Sequence, residues 1–120
     1  MTEYQLGAVE ARFAAIIWDN APLTSAELTR LALQQLGWKK STTYTVLKRL
    51  CDKGLFVNNG GTVEVLLPRQ EFYTLQSRRF VEETFDGSLP AFLAAFTDGK
   101  KLSSEELAQL RRLVDAYEEG

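Results

Sequence analysis

Six side chains in a short stretch of this 120-residue chain are the ones best suited to chemistry: Lys40, Ser41, Thr42, Thr45, Lys48 and Arg49. Hydroxyls accept and donate neutral hydrogen bonds, and Lys and Arg donate to anionic oxygens. Placed on a helix at about 100° per residue, Ser41, Thr45 and Lys48 fall on one face. Thr42 and Arg49 flank that face on one side and Tyr44 on the other. Thr43, Val46, Leu47 and Leu50 fall opposite. A helix that buries one side and offers short hydroxyls between cations suits a nucleic-acid groove. The same pattern also describes an ordinary amphipathic helix with a solvated charged side.

Other chemistries find little material. The chain has no His and a single Cys, Cys51. The commonest general base and metal ligand are therefore missing, and an intrachain disulfide is ruled out. No Gly-rich phosphate loop, nucleophile elbow or carboxylate pair with a plausible base is visible, so no catalytic site, metal or cofactor is expected. Glu105-Glu106 read as complement to a helix dipole and Glu118-Glu119 as a solvated tail. The 45% apolar and 25% charged fractions are those of a soluble globular domain. No run approaches the roughly 18 apolar residues of a membrane span. The Met1–Gln5 start lacks the basic and apolar pattern of a signal peptide. A cytoplasmic protein with no membrane insertion is expected.

The net charge of −2 hides an asymmetry. Residues 38–81 hold eight basic and three acidic side chains, a net of +5. Residues 1–37 hold two basic and four acidic, and residues 82–120 four basic and nine acidic, nets of −2 and −5. A basic middle between acidic ends points to a localised anionic partner.

The elements that would position the six residues follow from periodicity. Leu6 to Asn20 reads as a helix with Leu6, Val9, Phe13, Ile16 and Ile17 as its core stripe, ended by Pro22. Ala21-Pro22-Leu23 is a short link with room for a β-bridge at Leu23. Thr24-Ser25-Ala26-Glu27 is a capping box opening a second helix to about Leu36, with Leu28, Leu31 and Ala32 inward. Gly37 suits its left-handed end. The third helix starts at about Ser41, so a short Gly-containing turn joins the two as in a helix-turn-helix. Leu55-Phe56-Val57 and Thr62–Leu67 are β-prone runs around Asn58-Asn59-Gly60-Gly61, a hairpin signal. Three helices and a hairpin make a winged helix-turn-helix over residues 1–68, and the hairpin tip carries no cation.

Residues 69–120 read as a helical region. Arg69 to about Phe85 is a fourth helix with Phe72, Leu75, Phe80, Val81 and Phe85. Its Arg78-Arg79 suit either phosphate or the acids of a partner chain. Asp86-Gly87-Ser88 breaks the chain. Ser88 caps a fifth helix with Leu89, Phe92, Leu93 and Phe96 at i, i+3, i+4 and i+7. Ser103 and Glu106 form a second capping box before Leu107, Leu110, Leu113, Val114 and Tyr117. Two short apolar helices after a completed domain need a surface to bury against. A homodimer through Phe85, Leu89, Phe92, Leu93, Phe96, Leu107, Leu110, Val114 and Tyr117 supplies one and presents two reading helices together.

The run Trp38-x3-Thr42-x2-Thr45-x-Leu47-x-Arg49-Leu50-x2-Lys53-Gly54-x-Phe56 resembles the signature of the penicillinase and methicillin-resistance repressors, with their copper-responsive relatives. Phe80-x4-Phe85-Asp86-Gly87-Ser88-Leu89 is similar to that family's entry into its dimerisation helices, and Leu102-Ser103-x-Glu105-Glu106-Leu107 to the start of its last helix. The resemblance implies a mainly α winged-helix repressor with a small β-hairpin and C-terminal dimerisation helices. It implies a homodimer on a palindromic double-stranded DNA operator. It implies that the residues matching Ser41, Thr42, Thr45 and Lys48 lie near bases and phosphates, that Trp38 packs the turn, and that Arg49 serves either phosphate contact or structure. In antibiotic-resistance members a membrane sensor-protease triggers cleavage between Asn and Phe; here that position reads Ala95-Phe96, with the Phe and without the Asn. Copper sensing there uses clustered C-terminal Cys, and this chain has none. Two other readings compete: a winged-helix protein-interaction module, favoured by the neutral wing and a pI near 5.2, and a small-molecule-sensing regulator with a pocket near Tyr73, Phe80, Phe85 and Phe92.

Overall fold

The structure, a computed structural model, describes residues 6–119. Met1–Gln5 and the side chain of Glu119, part of the expected acidic tail, lie outside the described residues. The first helix, α1, spans Ala8–Asn20. It starts later than Leu6, which is half-buried against the core. Glu10 fastens its first turn, accepting from the Gly7 amide at 3.4 Å. Phe13, Ala14, Ile16 and Ile17 are buried, but Val9 is half exposed and does not join them. Val9 lies on the same side of the helical wheel as Phe13 and Ile16, yet it stays half in solvent while Leu6, further toward the N-terminus, packs against the core.

Leu23–Thr24 forms β1, so the link after α1 is a strand of the sheet. Thr24 then opens α2, Ser25–Leu36, through the expected reciprocal cap. Its hydroxyl accepts from the Glu27 amide at 3.1 Å, and Glu27 Oε1 accepts from the Thr24 amide at 3.3 Å. Gly37 ends α2 at φ 69°, a conformation that costs Gly little. After Trp38 and Lys39 comes α3, Lys40–Asp52.

Strands β2, Phe56–Asn59, and β3, Thr62–Val65, make the hairpin. The turn is Gly60-Gly61 alone, both at positive φ. Asn58 and Asn59 pair with Val63 and Thr62, so they belong to the strand and not to the turn. The sheet is antiparallel in the order β1-β3-β2. The return strand stops short of the expected Leu67. The amides of Leu66 and Leu67 both donate to the Leu55 carbonyl at 3.0 Å, which turns the chain out of the ladder.

Helix α4 spans Arg69–Phe85, α5 Leu89–Thr97 and α6 Ser104–Glu119. Ser88 caps α5, and Ser103 with Glu106 caps α6, as their spacing predicts. The chain divides into two compact units, Met1–Arg79 and Phe80–Gly120, and α4 runs through the division. The first unit is a winged helix with one closed core, in which Phe13, Ile17, Leu28, Leu50, Phe56 and Phe72 have almost no solvent exposure. In the second unit no described residue is buried. Its aromatic rings touch in sequence: Phe80 to Phe85 at 5.9 Å, Phe85 to Phe92 at 5.7 Å and Phe92 to Phe96 at 5.9 Å between centroids.

Candidate nucleic-acid interface

Helix α3 is seated by its apolar side. Val46, Leu47 and Leu50 enter the core, and Thr43 is buried with its hydroxyl donating to the Lys39 carbonyl at 3.2 Å. That internal bond lets a Thr be buried without a lost hydrogen bond. Trp38 holds the turn before α3: its ring lies 4.9 Å from that of Phe13, and its amide donates to the Ala32 carbonyl.

The opposite side is open. Lys40, Ser41, Thr42, Thr45 and Lys48 are all exposed. Thr45 donates to the Ser41 carbonyl at 2.9 Å, leaving the oxygen's lone pairs toward solvent. Lys48 meets Asp52 at 3.5 Å, but both side chains are mostly exposed, so the pair is weak and its cation exchangeable. Lys40 sits 5.8 Å from the Tyr44 ring centroid, a weak cation–π contact along the helix. Tyr44 is an exposed aromatic beside the polar face. The helical wheel places it there as well.

The N-terminus of α3 differs from those of α2, α5 and α6. Its N-cap is Lys39, no side chain caps its amides, and its first turn has no acid. Two lysines therefore stand where the helix dipole is positive, a costly arrangement until an anion arrives.

Arg49 is turned to another task. Its Nη1 lies 3.1 Å from Glu10 Oε2, tying α3 to α1. Burial pushes the Glu10 carboxyl up. The hydrogen bonds from Arg49 and the Gly7 amide, with the charges of Lys53 and Arg49, outweigh it and hold the group below its ordinary value. Of the two roles open to Arg49, this geometry occupies the structural one.

Between α3 and the hairpin lies a cleft of about 500 Å³, lined by Tyr44, Lys48, Cys51, Val57, Asn58 and Leu66 among others. Burial, helped by the Asp52 charge and opposed by Lys48, raises the Cys51 pKa, which keeps the thiol protonated at neutral pH. The wing tip is held by Asn58 Oδ1, which accepts from the Gly61 amide at 2.9 Å. With no Lys or Arg between Asn58 and Thr62, it offers backbone amides and amide side chains only.

The residues expected to dimerise are also in view. Leu89, Leu93, Phe96, Leu107, Val114 and Tyr117 are exposed, Tyr117 at 87%. Phe85, Phe92 and Leu110 are half-buried. Ala95 and Phe96 lie inside α5, and Lys100 covers the Phe96 ring at 4.6 Å. Among the described residues no three His, Cys, Asp or Glu side chains stand together as metal ligands, and no helix is long and apolar enough to cross a membrane.

The family model described as penicillinase repressor matches residues 6–116. A curated relative, the penicillinase repressor of Bacillus licheniformis, is 24% identical over 117 residues, covering 94% of this chain and 91% of the relative.

Proposed function

The chain belongs to the penicillinase repressor family, and from that premise we propose that it represses transcription as a homodimer bound to a palindromic DNA operator. The observation that carries the reading is the open face of α3: four polar side chains, Ser41, Thr42, Thr45 and Lys48, outward beside a helix N-terminus with Lys39 and Lys40 and no capping acid. Lysines at that end meet phosphate, and the hydroxyls reach base edges in the major groove. Arg49 supports the helix rather than the DNA.

The second unit supports the dimer. Its helices leave apolar side chains exposed, and none of its described residues is buried. A second copy related by a two-fold axis would cover them as one face and bring two α3 helices to two half-sites. Phe96 belongs to the face in this reading. A membrane sensor-protease acting at Ala95-Phe96 would release the operator by destroying it. The protein works in the cytoplasm, where its DNA is, and carries out no catalysis of its own.

The test is a gel-shift titration on the DNA upstream of the protein's own gene and its neighbours, against random duplex of equal length at about 150 mM salt. Specific binding should be about a thousandfold or more tighter. Equal affinity for both duplexes would end the proposal and favour the protein-interaction reading, for which the neutral wing is the motivation.

A further inference from the structure

Arg69 is the first residue of α4, where a cation opposes the helix dipole. Its contacts all lie elsewhere. Its Nη2 is 2.8 Å from Asp19 Oδ1 and donates to the Ala15 carbonyl at 3.2 Å. The guanidinium lies over the Trp18 ring, 5.5 Å from its centroid. Its Nε is buried with no hydrogen-bond partner, a cost borne to hold this pose. The last turn of α1 has no basic residue of its own, so Arg69 acts as the cation at that helix's negative end. Trp18 completes the joint. Its Nε1 donates to the Leu67 carbonyl at 3.0 Å, and its ring meets Phe56 and Phe72, each at 5.4 Å, and Tyr73 at 6.4 Å. Residues 67–73 are thereby clamped to the end of α1 at one angle.

We propose that Arg69 is a positioning residue that fixes the direction in which α4 leaves the winged helix and thereby fixes the half-site spacing a dimer accepts. The inference rests on the dimeric, palindrome-binding reading above. Arg69 touches no base; it acts through α4. A clamp at the root of α4 decides how much of the angular freedom between two linked reading heads survives, and linked binding gains only where both heads engage at once.

Three variants separate this role from plain stability. Arg69→Met keeps the apolar stem over Trp18 and removes the charge and the fork. Arg69→Lys keeps charge with a single point donor. Asp19→Arg with Arg69→Asp exchanges the partners. Each full-length protein is titrated against operators selected by the parent protein, at native spacing, with about 5 bp inserted between half-sites (half a helical turn) and as a single half-site. Arg69→Met should lose about tenfold or more of the preference for native over shifted spacing while half-site affinity stays within about twofold. Arg69→Lys should fall between, and the exchange should restore part of the preference. A spin-label pair at Arg30→Cys and Ser77→Cys, in a Cys51→Ser background diluted with unlabelled protein, gives a reading without DNA: a broader distance distribution in Arg69→Met than in Arg69 protein. Unchanged spacing preference with unchanged distance width overturns the inference, as does an equal loss on half-site and palindrome, the mark of a destabilised domain. A parent protein with no preference for any palindrome overturns the operator reading instead, and the spin-label widths still decide whether Arg69 sets the direction of α4.

Discussion

The two units of this chain solve burial in opposite ways. The winged helix closes its core with residues of α1, α2, α3, the start of α4 and a sheet, down to a buried Thr43 whose hydroxyl is satisfied within its own helix. The C-terminal unit folds helices just as well capped, yet buries no described residue and leaves Leu89, Phe96, Leu113, Val114 and Tyr117 more than half exposed. Local helix signals were equally strong in both. What differs is whether the unit carries its own second layer; under the proposed dimer, the partner copy supplies it and the stability of the C-terminal unit is tied to that copy.

The largest effect should come from charging the open face. Leu110→Asp with Val114→Asp places one carboxylate on it at Val114 and a second at half-buried Leu110, one turn away. Light scattering should give a monomer where the parent gives a dimer, and far-ultraviolet dichroism should still show a folded winged helix. A dimeric double variant would mean that α6 is not the interface. The contrast also predicts that the parent's C-terminal transition moves with protein concentration and that of the winged helix does not.

Phe13→Ala probes the closed side. Phe13 has no exposure and braces Trp38 at the α2–α3 turn. Its loss should cost about 3–5 kcal/mol in urea unfolding, independent of protein concentration. A loss that shrank at high concentration would show that the first unit also leans on its partner.

Much of this was legible in the sequence because it is local. The wheel of α3 placed Thr43, Val46, Leu47 and Leu50 in the core and left Ser41, Thr42, Thr45 and Lys48 outside, as observed. The capping boxes at Thr24 and Ser103 are set by neighbours three residues apart, and the Gly37 turn by bonds no more than six residues long, so local spacing finds them. Val9 was misread because periodicity gives a face but not which positions on it another element covers. Strand β3 ended early because two amides found the Leu55 carbonyl, a contact across the hairpin. Arg49 with Glu10 and Arg69 with Asp19 are joined across 39 and 50 positions of chain. No local pattern announces them, and they tie α3 and the start of α4 to α1.

Within α3 itself the comparison can be narrowed to two threonines two residues apart. Thr45→Ala should weaken operator binding by about 1–3 kcal/mol and relax preference at one base pair per half-site. Thermal stability should barely move. Thr43→Ala should do the reverse, lowering stability while leaving base preference intact. If both changes acted alike on base preference, the inward and outward faces would not be distinct in function. Lys48→Ala should be gentler: weaker binding on every duplex, with the salt-dependence slope reduced by about one.

The smallest expected effect tests whether the seat of α3 is held from outside its core. Glu10 has a carboxyl held below its ordinary value of 4.5 by Arg49 and its neighbours despite partial burial. A depressed folded-state value means the carboxylate adds stability above the unfolded value and loses it as the pH falls through the folded one. The Arg49 side chain is 52% exposed, so solvent screening keeps the contribution near or below about 1 kcal/mol. Glu10→Gln should therefore be slightly less stable than the parent at neutral pH, and the gap should close as the pH drops below 4.5. Urea unfolding of both proteins from pH 7 down to about 3 measures it. The C-terminal unit, on this account, contributes nothing to that gap, so the monomeric Leu110→Asp, Val114→Asp background should show the same closing difference. A gap that stays constant with pH would mean that Glu10 acts by packing and not by its charge, and that α3 is held by its core alone.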